Sequence, residues 1–209
     1  MAVLTATVRR PPVTSVVLRA HTGEILELDL GRWHDPATAE EQEILATIDG
    51  PVIDLGCGPG RLVASLESQQ IPALGVDSSP SAIALARMRG ATVLHQDLFE
   101  PLPGEGRWGA ALLFDGNIGI GGDPTRLLTR CRELMAGAGQ VVAEVAPPGT
   151  GWRRLTAWFE RDGHRSRSFA WAVVGADAIA VLARPAGLGV TDLRPTPSGR
   201  WFARLQPIT

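Results

Sequence analysis

The chain has 209 residues, 44% of them hydrophobic, and carries 20 basic against 22 acidic residues for a net charge of −2. That length and apolar fraction suit one globular domain with a sizeable core, and the near-neutral charge argues against a general nucleic-acid binder, which needs a basic face to neutralise phosphates. Every basic residue is arginine and the chain has neither lysine nor tyrosine, which removes Schiff-base lysines and tyrosine acids from the possible catalysts.

No apolar run approaches the ~20 residues of a bilayer span, and no apolar signal core follows Arg9-Arg10-Pro11-Pro12, so a cytoplasmic protein is expected. The Ala, Gly, Pro and Arg bias suits a GC-rich bacterial genome. Cys57 and Cys131 show no disulfide or metal spacing and are expected to be reduced thiols.

Beyond a loose tail, Val13 to Leu18 and Glu24 to Leu28 read as a hairpin turning at His21-Thr22-Gly23. Asp35-Pro36 supplies a cap and a first-turn proline for a helix, Glu40 and Glu41 suit its start, and Gly50 lies past its end. Val52-Ile53-Asp54-Leu55 is a short buried strand running into Gly56-Cys57-Gly58-Pro59-Gly60, and a helix starts at Arg61 with Leu62, Val63 and Leu66 on one face.

Strands are then expected at Ile71 to Val76, Ala91 to Leu94, Ala110 to Phe114 and Gln140 to Val145. The helices between them open at Ser79-Pro80 and Asp123-Pro124, the second carrying Leu127, Leu128, Cys131, Leu134 and Met135 at helical spacing. This alternation predicts a parallel sheet with right-handed crossovers. After Pro147-Pro148-Gly149 the rhythm breaks: Leu155 to Glu160 and Arg167 to Val174 read as an inserted hairpin. A helix from Ala176 to about Arg184 follows, then strands at Gly189 to Leu193 and Trp201 to Leu205. The expectation is one domain over 1–209, with an N-terminal cover (1–34), a cofactor-binding half (35–147) and an inserted hairpin with a substrate half (148–209).

The glycines let the backbone take positive φ and approach a ligand closely, and the following helix start offers free N–H groups. Asp54 precedes this turn, Asp77 ends the next strand and Asp97 follows the one after. Acid-x-Gly-x-Gly-x-Gly, then Asp77, then Asp97-Leu98, resembles the S-adenosylmethionine (SAM) site of Rossmann-like class I methyltransferases of the bacterial small-molecule type, over roughly residues 35–144.

The resemblance implies an α/β fold with helices on both faces of a mostly parallel sheet and an antiparallel last strand. It implies that Asp54, Gly56, Cys57, Gly58 and Gly60 hold the methionine part of SAM, and that Asp77, with Ser78 beside it, binds the ribose hydroxyls. Asp97 and the Leu98 backbone would meet adenine, and Trp33 belongs to a stretch that folds over the cofactor. The product would be S-adenosylhomocysteine (SAH).

Methyl transfer from a sulfonium is an in-line displacement, so alignment and exclusion of water are most of the task, with a general base useful for some acceptors. Asp115 and Asn117, in the loop where the resembled family places substrate-facing residues, are the catalytic candidates, although Asp-Gly and Asn before Gly are also ordinary turn formers. His34, whose ordinary pKa lies near working pH, is a third. The loop lacks the Asn-Pro-Pro-aromatic motif of methyltransferases acting on adenine or glutamine.

Trp152, Trp158, Phe159, Phe169 and Trp171, with Arg153, Arg154, Arg161, Arg165 and Arg167, suggest either a lid for a planar or anionic small molecule or an ordinary hairpin. A small-molecule acceptor is expected, with no nucleic-acid partner, membrane or metal. Two rival readings remain. One is a SAM-binding protein without turnover; the other is a nicotinamide dehydrogenase, disfavoured because its fingerprint is Gly-x-Gly-x-x-Gly with an apolar lead-in.

Overall fold

The computed structural model of the chain describes residues 17–26, 32–161 and 163–208. The N-terminal tail, the start of the first expected strand and the end of the second therefore lie outside the described residues.

The elements in chain order begin with β1 (Val17–Ala20), β2 (Ile25–Leu26), α1 (Ala39–Leu45), β3 (Val52–Leu55), α2 (Arg61–Ser68), β4 (Ala73–Asp77), α3 (Pro80–Met88) and β5 (Val93–His95). They continue with β6 (Trp108–Leu113), α4 (Pro124–Leu134), β7 (Met135–Val145), β8 (Trp152–Arg161), β9 (His164–Arg165), β10 (Phe169–Val174), α5 (Ile179–Ala183), β11 (Leu188–Pro195) and β12 (Trp201–Pro207).

The main sheet has seven strands in the order β11-β12-β7-β6-β3-β4-β5. β3 pairs in parallel with β4 and β6, and β12 runs antiparallel to both its neighbours. All four residues of β3 are buried, as a strand covered by helices on both faces requires. Its side chains alternate between two cores. Ile53 and Leu55 join Ala111, Leu113, Val141 and Ala143 under α4 and α5; Val52 joins Ala110, Leu112 and Val142 under α1 and α2. Each fully buried aliphatic side chain contributes about 1.5–3 kcal/mol relative to exposure. The Rossmann-like class I arrangement implied by the sequence is present, antiparallel last strand included.

Several boundaries differ from those expected, Met135 among them, which opens β7 instead of closing α4. α1 starts at Ala39 with Thr38 as its cap, not at Asp35-Pro36. Thr38 Oγ1 accepts the Glu41 N–H at 3.3 Å while the Thr38 N–H donates to Glu41 Oε2 at 2.9 Å, a reciprocal capping box. Asp35 is spent on a preceding turn, its N–H donating to the Arg32 carbonyl. β7 begins at Met135, five residues before the expected Gln140, because its pairing with β6 is irregular between Trp108 and Ala110 and Ala136-Gly137-Ala138-Gly139 carries no strand-like side-chain signal.

The second sheet joins parts distant in sequence. β1, with β2 beyond the turn at His21-Thr22-Gly23, pairs antiparallel with β8, and β8 pairs with β10 and β9. The N-terminal hairpin and the inserted hairpin thus form one sheet, in the order β10-β8-β1-β2, with β9 also paired to β8.

Candidate functional site

β3 brings Asp54 to the carboxyl end of the main sheet, where the chain turns before α2. Gly56 and Gly58 have φ of +77° and +52°, a region side chains rarely enter. The turn is tied to β4. The Gly56 and Cys57 N–H groups donate to the Val76 carbonyl at 2.8 and 3.1 Å, and the Gly58 N–H donates to Asp77 Oδ2 at 2.9 Å. Asp77 Oδ1 accepts the Ser79 N–H at 2.7 Å, so each oxygen keeps a lone pair for a further donor. A Cβ on Gly58 would meet no atom within 4 Å, so the turn faces open space there.

Beneath the turn, Asp54 is 2% exposed, and its carboxyl has no hydrogen-bond partner among the described residues. Burial pushes its pKa up to about 7; Arg61 opposes the rise, while Asp115, Asp77 and Glu41 add to it. A buried carboxyl in this state favours an arriving cation or hydrogen-bond donor. Cys57 is buried against Val63, Ile83 and Ala86, and burial holds its thiol far above the usual range, so it is packing and not a nucleophile.

Past β5, the exposed Asp97 accepts the Phe99 N–H at 2.9 Å through Oδ1. Leu98 is buried, and its carbonyl accepts from Arg130 Nε at 2.9 Å. Arg130 also donates to the Glu100 carbonyl and to Glu105 and Glu133, so α4 pins this loop. Ser78 is exposed beside Asp77, and its carbonyl meets His95 Nε2 at 3.1 Å.

After β6 the chain takes a left-handed step at Asp115, φ +55°, held by donation from its N–H to Glu144 Oε2 at 2.7 Å. Its carboxylate enters a network of arginines and acids. Arg61 Nη2 donates to Asp115 Oδ2 at 2.7 Å and Arg61 Nη1 donates to Glu41. Arg200 donates to Glu41 Oε1 at 2.6 Å and to both Glu144 oxygens at 2.7 and 2.6 Å, and its Nη2 lies 3.5 Å from Asp115 Oδ1. Arg32 lies 3.8 Å from Asp115 Oδ1. Burial raises the Asp115 pKa and Glu144 adds to the rise, against the lowering by Arg61 and Arg200. Glu41 is also buried, yet Arg61, the Thr38 N–H and Arg200 outweigh that and bring it down to about 2.

Asn117 points the other way. Its Nδ2 donates to the Leu55 and Gly56 carbonyls at 3.0 and 2.8 Å, joining the loop after β6 to the glycine turn.

Beside this loop lies a cavity of about 450 Å³. Ile118, Val145, Pro147, Trp171 and Trp201 give it apolar walls, while Asp115, Glu144, Arg32, Arg153 and Arg200 give it polar ones. The second sheet roofs it. Paired residues of antiparallel strands share a face, and Leu155/Trp171 and Ala157/Phe169 are such pairs. From Trp171 an aromatic row runs through Phe169 and Phe159 to Trp33, with centroid separations of 6.0, 5.3 and 6.1 Å. The row packs with Ile120 of the loop after β6. Arg165 and Arg167 are exposed, and Arg165 lies 5.3 Å from the Trp158 ring.

Of the residues singled out in the sequence, the structure brings together Asp54, the glycine turn, Asp77 and Asn117 on one side of the loop after β6, with Asp115 at the cavity on the other. Trp33 reaches the aromatic row. His34 is exposed and is not among the cavity-lining residues; its backbone carbonyl accepts from Arg89. Sequence reasoning missed Arg61, Glu41, Glu144 and Arg200. Only Glu41 left a signal, the Thr38-x-x-Glu41 capping pattern. Among the described residues no group of three or more His, Cys, Asp or Glu side chains is placed to hold a metal ion, and no helix is long and apolar enough to cross a membrane.

In an open, mostly parallel sheet the crevice beyond the carboxyl ends of the strands is where ligands bind, and here it carries the glycine turn and the acids at successive strand ends. The model of the methyltransferase domain family matches residues 34–193, and the chain belongs to that family. Among solved structures, a SAM-dependent methyltransferase from Bacteroides fragilis in complex with SAH has a TM-score of 0.77 at 14% identity, covering 93% of this chain and 88% of that one. The Burkholderia thailandensis 1,6-didemethyltoxoflavin-N1-methyltransferase, with that compound and SAH bound, has a TM-score of 0.59 at 20% identity, covering 80% and 75%. The CcbJ methyltransferase of Streptomyces caelestis has a TM-score of 0.64 at 15% identity, covering 85% and 92%. At these identities the likeness is one of fold. No curated protein sequence matches the chain.

Proposed function

We propose that the protein is a SAM-dependent methyltransferase whose acceptor is a small molecule bound in the 450 Å³ cavity. The observation that carries this reading is Asp54: a buried carboxyl without a hydrogen-bond partner among the described residues, below a glycine turn open at Gly58 and separated from that cavity by the loop after β6. The residues present fit the cofactor. Asp54 offers a carboxylate to a cationic amino-acid part, Gly56 to Gly60 leave room for close approach, and Asp77 retains two lone pairs for ribose hydroxyls. Asp97 and Leu98 lie at the end of β5 for the base. Bound there, SAM supplies a methyl group already activated by its sulfonium.

The chain's own contribution is to align the acceptor and exclude water. The cavity volume lies within the range of small-molecule sites, and its mixture of tryptophan walls and arginine-acid groups suits a compact, partly planar acceptor. The 1,6-didemethyltoxoflavin-N1-methyltransferase of the same fold holds its small molecule together with SAH. Asp115 is the cavity group placed to align the acceptor or take a proton from it, its basicity raised by burial. His34 would act only if the segment before α1 moved its side chain inward.

The experiment is incubation with SAM isotopically labelled in the methyl group and bacterial metabolite extract, followed by mass spectrometry. A labelled small molecule is expected. Label found only in protein or RNA would refute the acceptor class, and a protein that binds NAD but not SAH would refute the cofactor.

A further inference from the structure

The loop after β6 has two sides. Gly116 and Ile118 line the cavity, while Asn117 and Ile120 lie against the glycine turn, where a Cβ added to Gly56 would come within 2.7 Å of both Asn117 Nδ2 and Ile120 Cδ1. From behind, Gly119 packs so closely on β10 that a Cβ there would collide with the Ala172 carbonyl and the Trp171 ring. The loop is therefore wedged between the roof and the turn.

One amide holds the wedge to the turn. Leu55 and Gly56 stand where β3 has ended, and Gly56 is at φ +77°. Asn117 Nδ2 donates to both their carbonyls, at 3.0 and 2.8 Å, and so fixes the peptide planes from which the turn departs. An amide NH₂ has two donors, and both are engaged on this turn. Unlike its neighbours Gly116 and Ile118, Asn117 does not line the cavity.

We infer that Asn117 is a positioning residue: it holds the glycine turn in its cofactor-ready shape and makes that shape depend on the floor of the acceptor cavity. It does not act on the acceptor. The inference rests on the cofactor reading above and deepens it, because it assigns the coupling between the two halves of the site to one side chain. A turn that must be reshaped on binding loses affinity, as any unorganised site does. By reciprocity, an acceptor that fixes Gly116 and Ile118 tightens the cofactor through the same amide.

The test uses Asn117→Asp, which keeps the shape but has no N–H to donate, and Asn117→Ala, which adds no charge. SAH affinity is measured by calorimetry, and amide hydrogen exchange is followed over residues 55–61 without ligand. Wild type is expected to bind SAH, and Asp77→Ala serves as a control for the cofactor site. Both Asn117 variants are expected to bind SAH at least tenfold more weakly, with faster exchange confined to the turn.

An Asn117→Ala protein that is folded and binds SAH as wild type does would overturn the inference while leaving the cofactor reading intact. If Asn117→Ala is not predominantly folded at 25 °C, the residue is a stability element and the inference fails. A wild type that does not bind SAH overturns the cofactor reading, and the inference with it.

Discussion

Arg61 Nη2 donates to Asp115 Oδ2 at 2.7 Å, joining the first residue of α2 to the left-handed residue that follows β6. The same guanidinium holds Glu41 of α1, so three elements around the glycine turn meet on one buried cation. Burial alone would lower the pKa of Arg61, but Glu41 and Asp115 more than offset it and raise the value.

Replacing Arg61 with Met leaves Glu41 fully buried with one guanidinium and Asp115 with its nearer partner gone. Breaking a buried pair by removing one member costs about 3–5 kcal/mol. Thermal or urea unfolding of Arg61→Met should show a loss of that order; a change below about 1 kcal/mol would mean that Arg200 alone satisfies both acids.

Asp54 and Glu41 make opposite contributions to the pH dependence of stability. Asp54 is raised to about 7 in the folded state, so the unliganded protein holds a proton that the unfolded chain has released, and stability falls as pH rises from about 4 to 7. Glu41 is lowered to about 2, so its contribution is present above the ordinary carboxylate range and is lost as pH falls through 2. Asp54→Asn should flatten the decline between pH 4 and 7 in melting curves. If SAH brings its ammonium to Asp54, binding below pH 7 should also release a proton, visible as a buffer-dependent binding enthalpy; proton uptake would contradict the assignment.

Asp77→Ala should weaken SAH binding by about 1.5–3 kcal/mol, the range for hydrogen bonds to a charged group. The Gly58 and Ser79 N–H groups also lose their acceptor, so the affinity is to be measured on protein shown to be folded. Unchanged affinity would place the ribose elsewhere.

Gly58→Val puts a branched side chain at φ +52° and into the open face of the turn. The strain is about 1–2 kcal/mol, too little to unfold the domain. Added SAH should raise the melting temperature of wild type and not of the variant. An equal rise in both would show that the ligand does not use this turn.

Asp115→Asn should leave SAH affinity within a few-fold of wild type and reduce turnover with the identified acceptor at least tenfold, since lost alignment or a lost base typically costs about 10²-fold or more. His34→Ala provides the comparison. Should His34→Ala lose turnover while Asp115→Asn keeps it, the proton acceptor belongs to the segment before α1.

The glycine turn and the acids at strand ends were legible because chemistry and local sequence coincide there: Asp54 and Asp77 each follow a short apolar run, and Asp97 comes just past another, after His95-Gln96. The arginine-acid network was not. Arg200 and Glu41 are brought together only by folding, and nothing next to either residue marks it as buried. Asp35-Pro36 misled about α1 because a proline after an acid reads as a cap, whereas Thr38 and Glu41 satisfy two helix N–H groups between them. Asn117 was legible as a residue of the loop after β6, but the direction of its amide depends on Gly56 and Ile120, which no spacing reveals. The two hairpins could each be read locally. Their union into one sheet could not, because strand pairing over that separation carries no local pattern.

That union is expected to order the assembly. Val17 pairs with Glu160 and Ala20 with Ala157, so β1 and β8 close a loop of about 140 residues that contains the glycine turn and the strands on either side of it. Closing so long a loop is entropically slow, while β3, α2 and β4 form from neighbours in the chain. The glycine turn is then expected to take shape while the cavity is still unroofed. The chamber is enclosed only when the earliest and later parts of the chain meet.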